Sequence, residues 1–175
     1  MTHLFKTVIA AAIGLFVAVQ AQTALAAEKL VLETTKGTVE IELMTTVAPR
    51  HVAQIKKLAK EGFYDGVIFH RVIEGFMAQT GDPTGTGRGG SNEPDIPAEF
   101  SNVPFERGVV GMARTSDPNS ANSQFFIMFD SAPFLNGDYT VFGRVVSGMD
   151  AIDSINRGEP PSNPDRIVKM TVTRN

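Results

Sequence analysis

Residues 69–82 read Phe69-His70-Arg71-Val72-Ile73-Glu74-Gly75-Phe76-Met77-Ala78-Gln79-Thr80-Gly81-Asp82. The run falls into two short extended pieces with a bend at Glu74-Gly75. Aromatic and β-branched residues fill the first piece, and Gly75 admits a turn or bulge. Successive side chains of a strand face opposite sides, which places Phe69, Arg71 and Ile73 on one face and His70 and Val72 on the other. Beyond the bend, Met77 and Gln79 share a face. The bend therefore brings a guanidinium, a thioether and an amide to one apolar surface. Phe76 does not fit the alternation with Met77.

Upstream, Lys29–Thr34 and Val39–Leu43 alternate cleanly around Thr35-Lys36-Gly37-Thr38, the pattern of a hairpin. A helix is predicted from Pro49, with Val52, Ile55 and Leu58-Ala59 at helical spacing and Gly62 beyond its end. His51 falls near the start of that helix, on a face expected to meet solvent. Residues 67–73 and 76–79 read as strands. Downstream, Gly81–Pro97 and Arg114–Asn122 are loops, Val109–Ala113 is a short apolar run, and Gln124–Phe129 is a strand apolar on both faces. A turn region at Ser131–Tyr139, a strand at Thr140–Val146 and a helix at Ser147–Arg157 follow. Ser147-x-x-Asp150 reads as a capping box for that helix. Pro160-Pro161 breaks the chain. Arg166–Thr173 is the last strand, with Val168, Met170 and Val172 alternating against Lys169, Thr171 and Thr173. Many short strands and two helices predict a mainly β fold, a closed or nearly closed barrel with helices over its ends.

The chain has 175 residues, consistent with one domain. Residues 1–26 stand apart. Lys6 carries the stretch's one side-chain charge, Thr7–Val19 is almost wholly apolar, and Ala24-Leu25-Ala26 is a small-x-small site. That is the layout of a cleavable secretory signal peptide, leaving a domain of residues 27–175. The alternative is a membrane anchor, but the apolar core falls short of the ~20 residues a span needs. Losing Lys6 moves the formal charge from −3 to −4. A mildly acidic chain without a basic patch argues against nucleic acid as a partner. Cys is 0, which excludes lipid acylation, thiol chemistry and thiolate-ligated zinc.

Gly85-Thr86-Gly87-Arg88-Gly89-Gly90-Ser91 has Ser where a phosphate-binding loop needs Lys, and no helical pattern follows it. His70, among aromatic and β-branched neighbours, reads as a core histidine facing away from Arg71. There is no G-x-S-x-G elbow and no metal-ligand spacing. What remains is Arg71 among apolar groups and amides. Arginine keeps its proton in ordinary conditions, so such a site donates hydrogen bonds and charge and transfers no proton.

Taken together, Phe69-His70-Arg71-Val72-Ile73-x-x-Phe76-Met77-x-Gln79-x-Gly81-Asp82, Ser123-Gln124-Phe125-Phe126-Ile127 and Val141-Phe142-Gly143-Arg144-Val145 resemble, in order, the signature blocks of the cyclophilins, the peptidyl-prolyl cis–trans isomerases. The resemblance covers nearly all of Lys29 to Arg174 and is nearest the exported, periplasmic-type bacterial branch. It implies an eight-stranded antiparallel barrel capped by two helices, with the active groove on its outer face and Phe125 and Ile127 inside. Carried over, the catalytic set is Arg71, Phe76 and Gln79. The substrate-binding set is Met77, Ala113, Arg114, Gln124, Phe126, Phe134, Leu135 and Tyr139. No cofactor or metal is implied. Implied partners are proline-containing peptides and unfolded exported proteins met by a monomer in the periplasm or, alternatively, the medium, with no membrane contact once the leader is cleaved.

Three positions depart from many eukaryotic members: Phe134 stands for Trp, Tyr139 for His, and Arg114 for Asn. These changes point to weak cyclosporin binding and bear on substrate preference rather than on the reaction. Two rival readings stay open: a proline-peptide binding module without turnover, and a structural barrel with Arg71 buried in its core.

Overall fold

The computed structural model describes residues 28–174. The predicted leader, residues 1–26, and its cleavage point lie outside the described residues. Strands β1 (Glu28–Thr34) and β2 (Gly37–Leu43) form a hairpin that sends Leu30, Leu32, Val39 and Ile41 inward. Helix α1 (Pro49–Lys60) opens with proline, where a missing N–H breaks no helical bond, and presents Val52, Ile55 and Leu58 to the core. Strands β3 (Arg71–Ile73), β4 (Met77–Thr80), β5 (Val109–Met112) and β6 (Phe125–Met128) follow. A 3-10 turn at Pro133–Leu135, strand β7 (Val141–Ser147), helix α2 (Met149–Asp153) and strand β8 (Ile167–Arg174) complete the chain.

All eight strands join one curled antiparallel sheet in the order β3-β4-β6-β5-β7-β2-β1-β8. No ladder pairs β3 with β8. Single bridges at Ile68–Arg166 and Val72–Gly158 tie the chain around β3 to the segment leading into β8. Helix α1 packs near β8 and β7, and α2 lies on β2. The inner face of the sheet and the two helices share one core, in which Phe125 meets the rings of Tyr64 and Phe142 edge-on at 5.6 and 6.0 Å. A smaller apolar cluster, built on Met77, Phe105, Phe126, Met128 and Leu135, lies on the other face of β4 and β6.

Several local expectations are corrected. Alternation does not extend back through residues 67–70, because regular pairing begins only at Arg71. Phe69 accordingly joins the core instead of sharing a face with Arg71. His51 is fully buried, not solvent-facing. Its Nδ1 lies 2.7 Å from Glu99 Oε2, and the same carboxylate accepts the backbone N–H groups of Arg50 and His51. Glu99 thus satisfies the start of α1, where Ala48 offers no side-chain cap.

The capping box at Ser147 is not formed. Ser147 ends β7, and the helix is capped by Gly148 at φ 84°. A Cβ at Gly148 would lie 2.0 Å from the carbonyl oxygen of Thr38, so close approach to β2 fixes this residue as glycine. Helix α2 ends at Asp153, well short of Arg157. The pairing of β1 with β8 shifts register at Glu33/Thr34, opposite Val168. That irregularity turns Val168 out to 52% exposure and seats Ile167 in the core instead.

Candidate active site

Cross-strand register builds the site. Arg71 pairs with Gln79, Gln79 with Phe126, and Phe126 with Gly111, so one row crosses four strands. Directly opposed residues share a face. The adjacent row, Val72, Ala78, Ile127 and Val110, belongs to the core. The Arg71 row therefore lies on the outer face. At its far end, a Cβ on Gly111 would sit 2.6 Å from the Phe105 ring and 2.7 Å from that of Phe126. The glycine leaves room for those two rings to stack at 5.7 Å and floor the site.

Above this floor lies an open groove of about 610 Å³. It is lined by nine of the residues expected from the sequence: Arg71, Phe76, Met77, Gln79, Ala113, Arg114, Phe126, Leu135 and Tyr139. Gln124 lines an adjoining pocket of about 510 Å³ that shares Gln79, Ala113 and Arg114 with the groove. Phe134 stands on the rim, 71% exposed, with its ring 5.6 Å from that of Phe76. Phe76 reaches the groove from the turn before β4, which is why strand alternation does not account for it.

Polar contacts knit one wall together. Arg71 Nη1 donates to Gln79 Oε1 at 3.4 Å, and Gln79 Nε2 donates to Gln124 Oε1 at 2.8 Å. Gln124 Nε2 in turn donates to the carbonyls of Gly87 and Gly89 at 3.1 and 2.8 Å. Those glycines belong to a loop gathered around the buried carboxylate of Asp82, which accepts the N–H groups of Thr84, Thr86, Gly87 and Gly89. Burial alone would raise the Asp82 pKa. The Thr84 hydroxyl and the converging N–H groups outweigh it and hold the carboxyl down at about 2. The glycine-rich run that fails as a phosphate loop is thus a groove wall fixed from beneath.

At the other end, Arg114 lies over the Tyr139 ring at 4.4 Å and donates to the carbonyl oxygens of Asp138 and Thr115. Arg71 is not buried in the core: its side chain is 42% exposed, and Nε donates to Glu159 Oε2 at 2.8 Å. That exposure removes the reading of Arg71 as a structural core residue.

His70, Gly85, Thr86, Gly87, Glu159 and Pro160 also line the groove, and sequence reasoning placed none of them there. His70 does not face away from Arg71; it sits before the first regularly paired residue, where period-two reasoning has no hold. It is 5% exposed, and among the described residues neither ring nitrogen has a hydrogen-bond partner within normal geometry. Burial lowers its pKa, with the Arg71 charge reinforcing that shift and the Asp82 charge and the nearby Gln124 side chain opposing it. Glu159 and Pro160 carry no local signal at all. Among the described residues, no group of three or more His, Asp or Glu side chains is arranged to hold a metal ion.

The arrangement offers a fixed cation beside an apolar pocket, flanked by amides and backbone groups. Residues 29–172 match the family model described as cyclophilin type peptidyl-prolyl cis-trans isomerase/CLD. The chain belongs to the cyclophilin-type isomerases. A probable peptidyl-prolyl cis-trans isomerase of Brucella suis is 57% identical over 170 residues, covering 86% of this chain and 87% of that protein. A Schizosaccharomyces pombe peptidyl-prolyl cis-trans isomerase is 42% identical, covering 79% of this chain and 94% of that one.

Solved cyclophilins share the architecture. One from Hirschia baltica superposes with a TM-score of 0.76 at 36% identity, covering 82% of this chain and 73% of that one. A cyclophilin-type isomerase from Cryptosporidium parvum, solved in the presence of the dipeptide Ala-Pro, gives 0.78 at 30%, covering 84% and 99%. The enzyme is a cyclophilin-type peptidyl-prolyl cis–trans isomerase.

Proposed function

We propose that this isomerase is exported, is cleaved after Ala26, and accelerates X-Pro rotation in proteins folding outside the cytoplasm, in the periplasm or alternatively the medium. The supporting observation for export is the apolar run Thr7–Val19 followed by Ala24-Leu25-Ala26. It acts as a monomer, with the sheet closing into a full barrel across the bridges at Ile68 and Val72.

Amide resonance gives X-Pro rotation a barrier of ~20 kcal/mol, and uncatalysed exchange takes tens of seconds or longer. Midway through rotation that resonance is lost, and the prolyl nitrogen becomes pyramidal and basic. A guanidinium hydrogen bond to that nitrogen is favourable only then, which is the requirement for catalysis. Arg71 supplies it. Phe76, Met77, Phe126 and Leu135 hold the pyrrolidine ring, and Gln79 with the backbone near Ala113 and Arg114 holds the peptide on either side. Gln124, Phe134 and Tyr139 extend the contact surface. The observation that carries this reading is the outer-face row Arg71–Gln79–Phe126, which sets a partly exposed cation against an apolar floor. The Ala-Pro dipeptide named with the Cryptosporidium parvum neighbour agrees with a proline ligand.

The test is kcat/KM on an Ala-Pro peptide for wild type, Arg71→Lys and Arg71→Ala, with circular dichroism as the fold control. Both variants are expected to lose on the order of 10²–10³ in kcat, because lysine keeps the charge and loses the planar fork of donors. A lysine variant within a few-fold of wild type would show that diffuse charge suffices, and an active alanine variant would remove Arg71 from catalysis.

A further inference from the structure

Glu159 reaches the groove from 88 residues farther along the chain than Arg71. Its Oε2 accepts from Arg71 Nε at 2.8 Å, while the opposite edge of the guanidinium reaches Gln79 through Nη1 at 3.4 Å. The planar group is thus gripped at two edges, and among the described residues Nη2 has no protein partner.

The backbone behind Glu159 is tied to the strand that carries Arg71. Val72 N donates to Gly158 O at 2.8 Å, and Gly158 N donates to Val72 O at 2.9 Å. Gly158 has φ 146°, and a Cβ there would lie 2.5 Å from Pro161 Cα, so the turn presenting Glu159 is compact and accepts only glycine. Glu159 and Arg71 are therefore carried on one hydrogen-bonded unit.

We propose that Glu159 is a positioning residue for the isomerisation: it fixes the Nε edge of Arg71 so that the Nη groups face the reacting prolyl nitrogen. This rests on the catalytic role given to Arg71 above. An arginine side chain with this exposure has several rotatable bonds and many solvated rotamers. Fixing one edge of the plane selects the orientation in which the remaining donors converge on the groove. A displacement of about 1 Å at a reacting centre can cost on the order of 10²-fold in rate, so partial loss of orientation is expected to cost about tenfold.

The experiment measures kcat and KM separately, by exchange NMR on an Ala-Pro peptide, for wild type, Glu159→Ala, Glu159→Gln, Arg71→Ala and the double variant Arg71→Ala/Glu159→Ala. Melting curves check folding. Glu159→Ala is expected to lower kcat about tenfold with KM within about twofold of wild type. Glu159→Gln should recover most of the loss, since its amide oxygen still accepts from Nε. In the Arg71→Ala background, Glu159→Ala should change nothing, because a residue acting through Arg71 has nothing left to orient.

A kcat for Glu159→Ala within about twofold of wild type, alongside an inactive Arg71→Ala, would overturn this inference alone. Equal losses from Glu159→Ala in both backgrounds would also overturn it, by tracing the effect to the loop. Retained activity in Arg71→Ala would remove the reading of Arg71, and this inference with it.

Discussion

Phe125 and Phe126 are neighbours on β6, 0% and 5% exposed, yet they do different work. Phe125 points into the core inside the curled sheet, where Tyr64 and Phe142 complete its surroundings. Phe126 points outward onto a floor shared with Phe105 and Tyr139, under a groove that protein atoms do not fill. Burial therefore does not separate a core residue from a site residue here. What separates them is whether the chain itself completes the packing or leaves an open groove over the ring.

The sharpest way to break this comparison is to truncate both rings. Phe125→Ala should lower stability by about 3–5 kcal/mol in denaturant unfolding, as expected for a cavity in a closed core. Phe126→Ala should cost less stability, because its site already opens to the groove, and should raise KM for an Ala-Pro peptide. Matching stability losses with an unchanged KM would erase the distinction.

A second contrast sets the Asp82 loop against the core, since one rests on charge and the other on apolar contact. The Asp82 carboxyl is held near 2, below the ordinary 3.8, so its contribution is complete above about pH 4 and is lost as pH falls toward 2. Wild type should lose about 2 kcal/mol over that window from this group. Asp82→Asn should flatten the acid limb and start from lower stability, since its amide –NH₂ would meet N–H donors. An unchanged acid limb in the variant would assign the transition elsewhere.

On the rim, Phe134→Trp adds contact area and a donor where a ring already leans on Phe76. Cyclosporin binding should tighten roughly fivefold, about 1 kcal/mol, in a competition assay; equal inhibition of both proteins would count against a role for this position. The smallest expected effect concerns His70. Its burial favours the neutral ring and shifts its titration below the ordinary 6.5. Turnover should therefore vary less than about twofold between pH 7 and 8, and a steep change there with the fold intact would give His70 a role the groove geometry does not.

The sequence was most legible where pairing is regular. Alternation in β1, β2 and β6 sorts side chains onto the two faces the structure shows, and for β6, apolar on both faces, it was the family resemblance that put Phe125 and Ile127 inside and Phe126 outside. It fails at Phe69 and His70, which precede the first ladder residue, and at Val168, where a register shift interrupts the period. His51 looked exposed because its partner, Glu99, lies 48 residues away and caps the helix from another loop. Glu159 and Pro160 were invisible for the same reason: a tertiary pair of backbone hydrogen bonds to Val72, not any local pattern, brings them to the groove.

That pair of bonds has a consequence for the company this enzyme keeps. Arg71 lies on the outermost strand of the sheet, and only one side of that strand is laddered. An open strand edge is a template for any extended chain that comes near, and recruits it through backbone hydrogen bonds regardless of sequence. On the proposed function, extended chains meet the enzyme at this face. By occupying both the N–H and the C=O of Val72, Gly158 closes the strip beside Arg71. Extended chains drawn to the proposed groove are thereby kept from becoming a ninth strand.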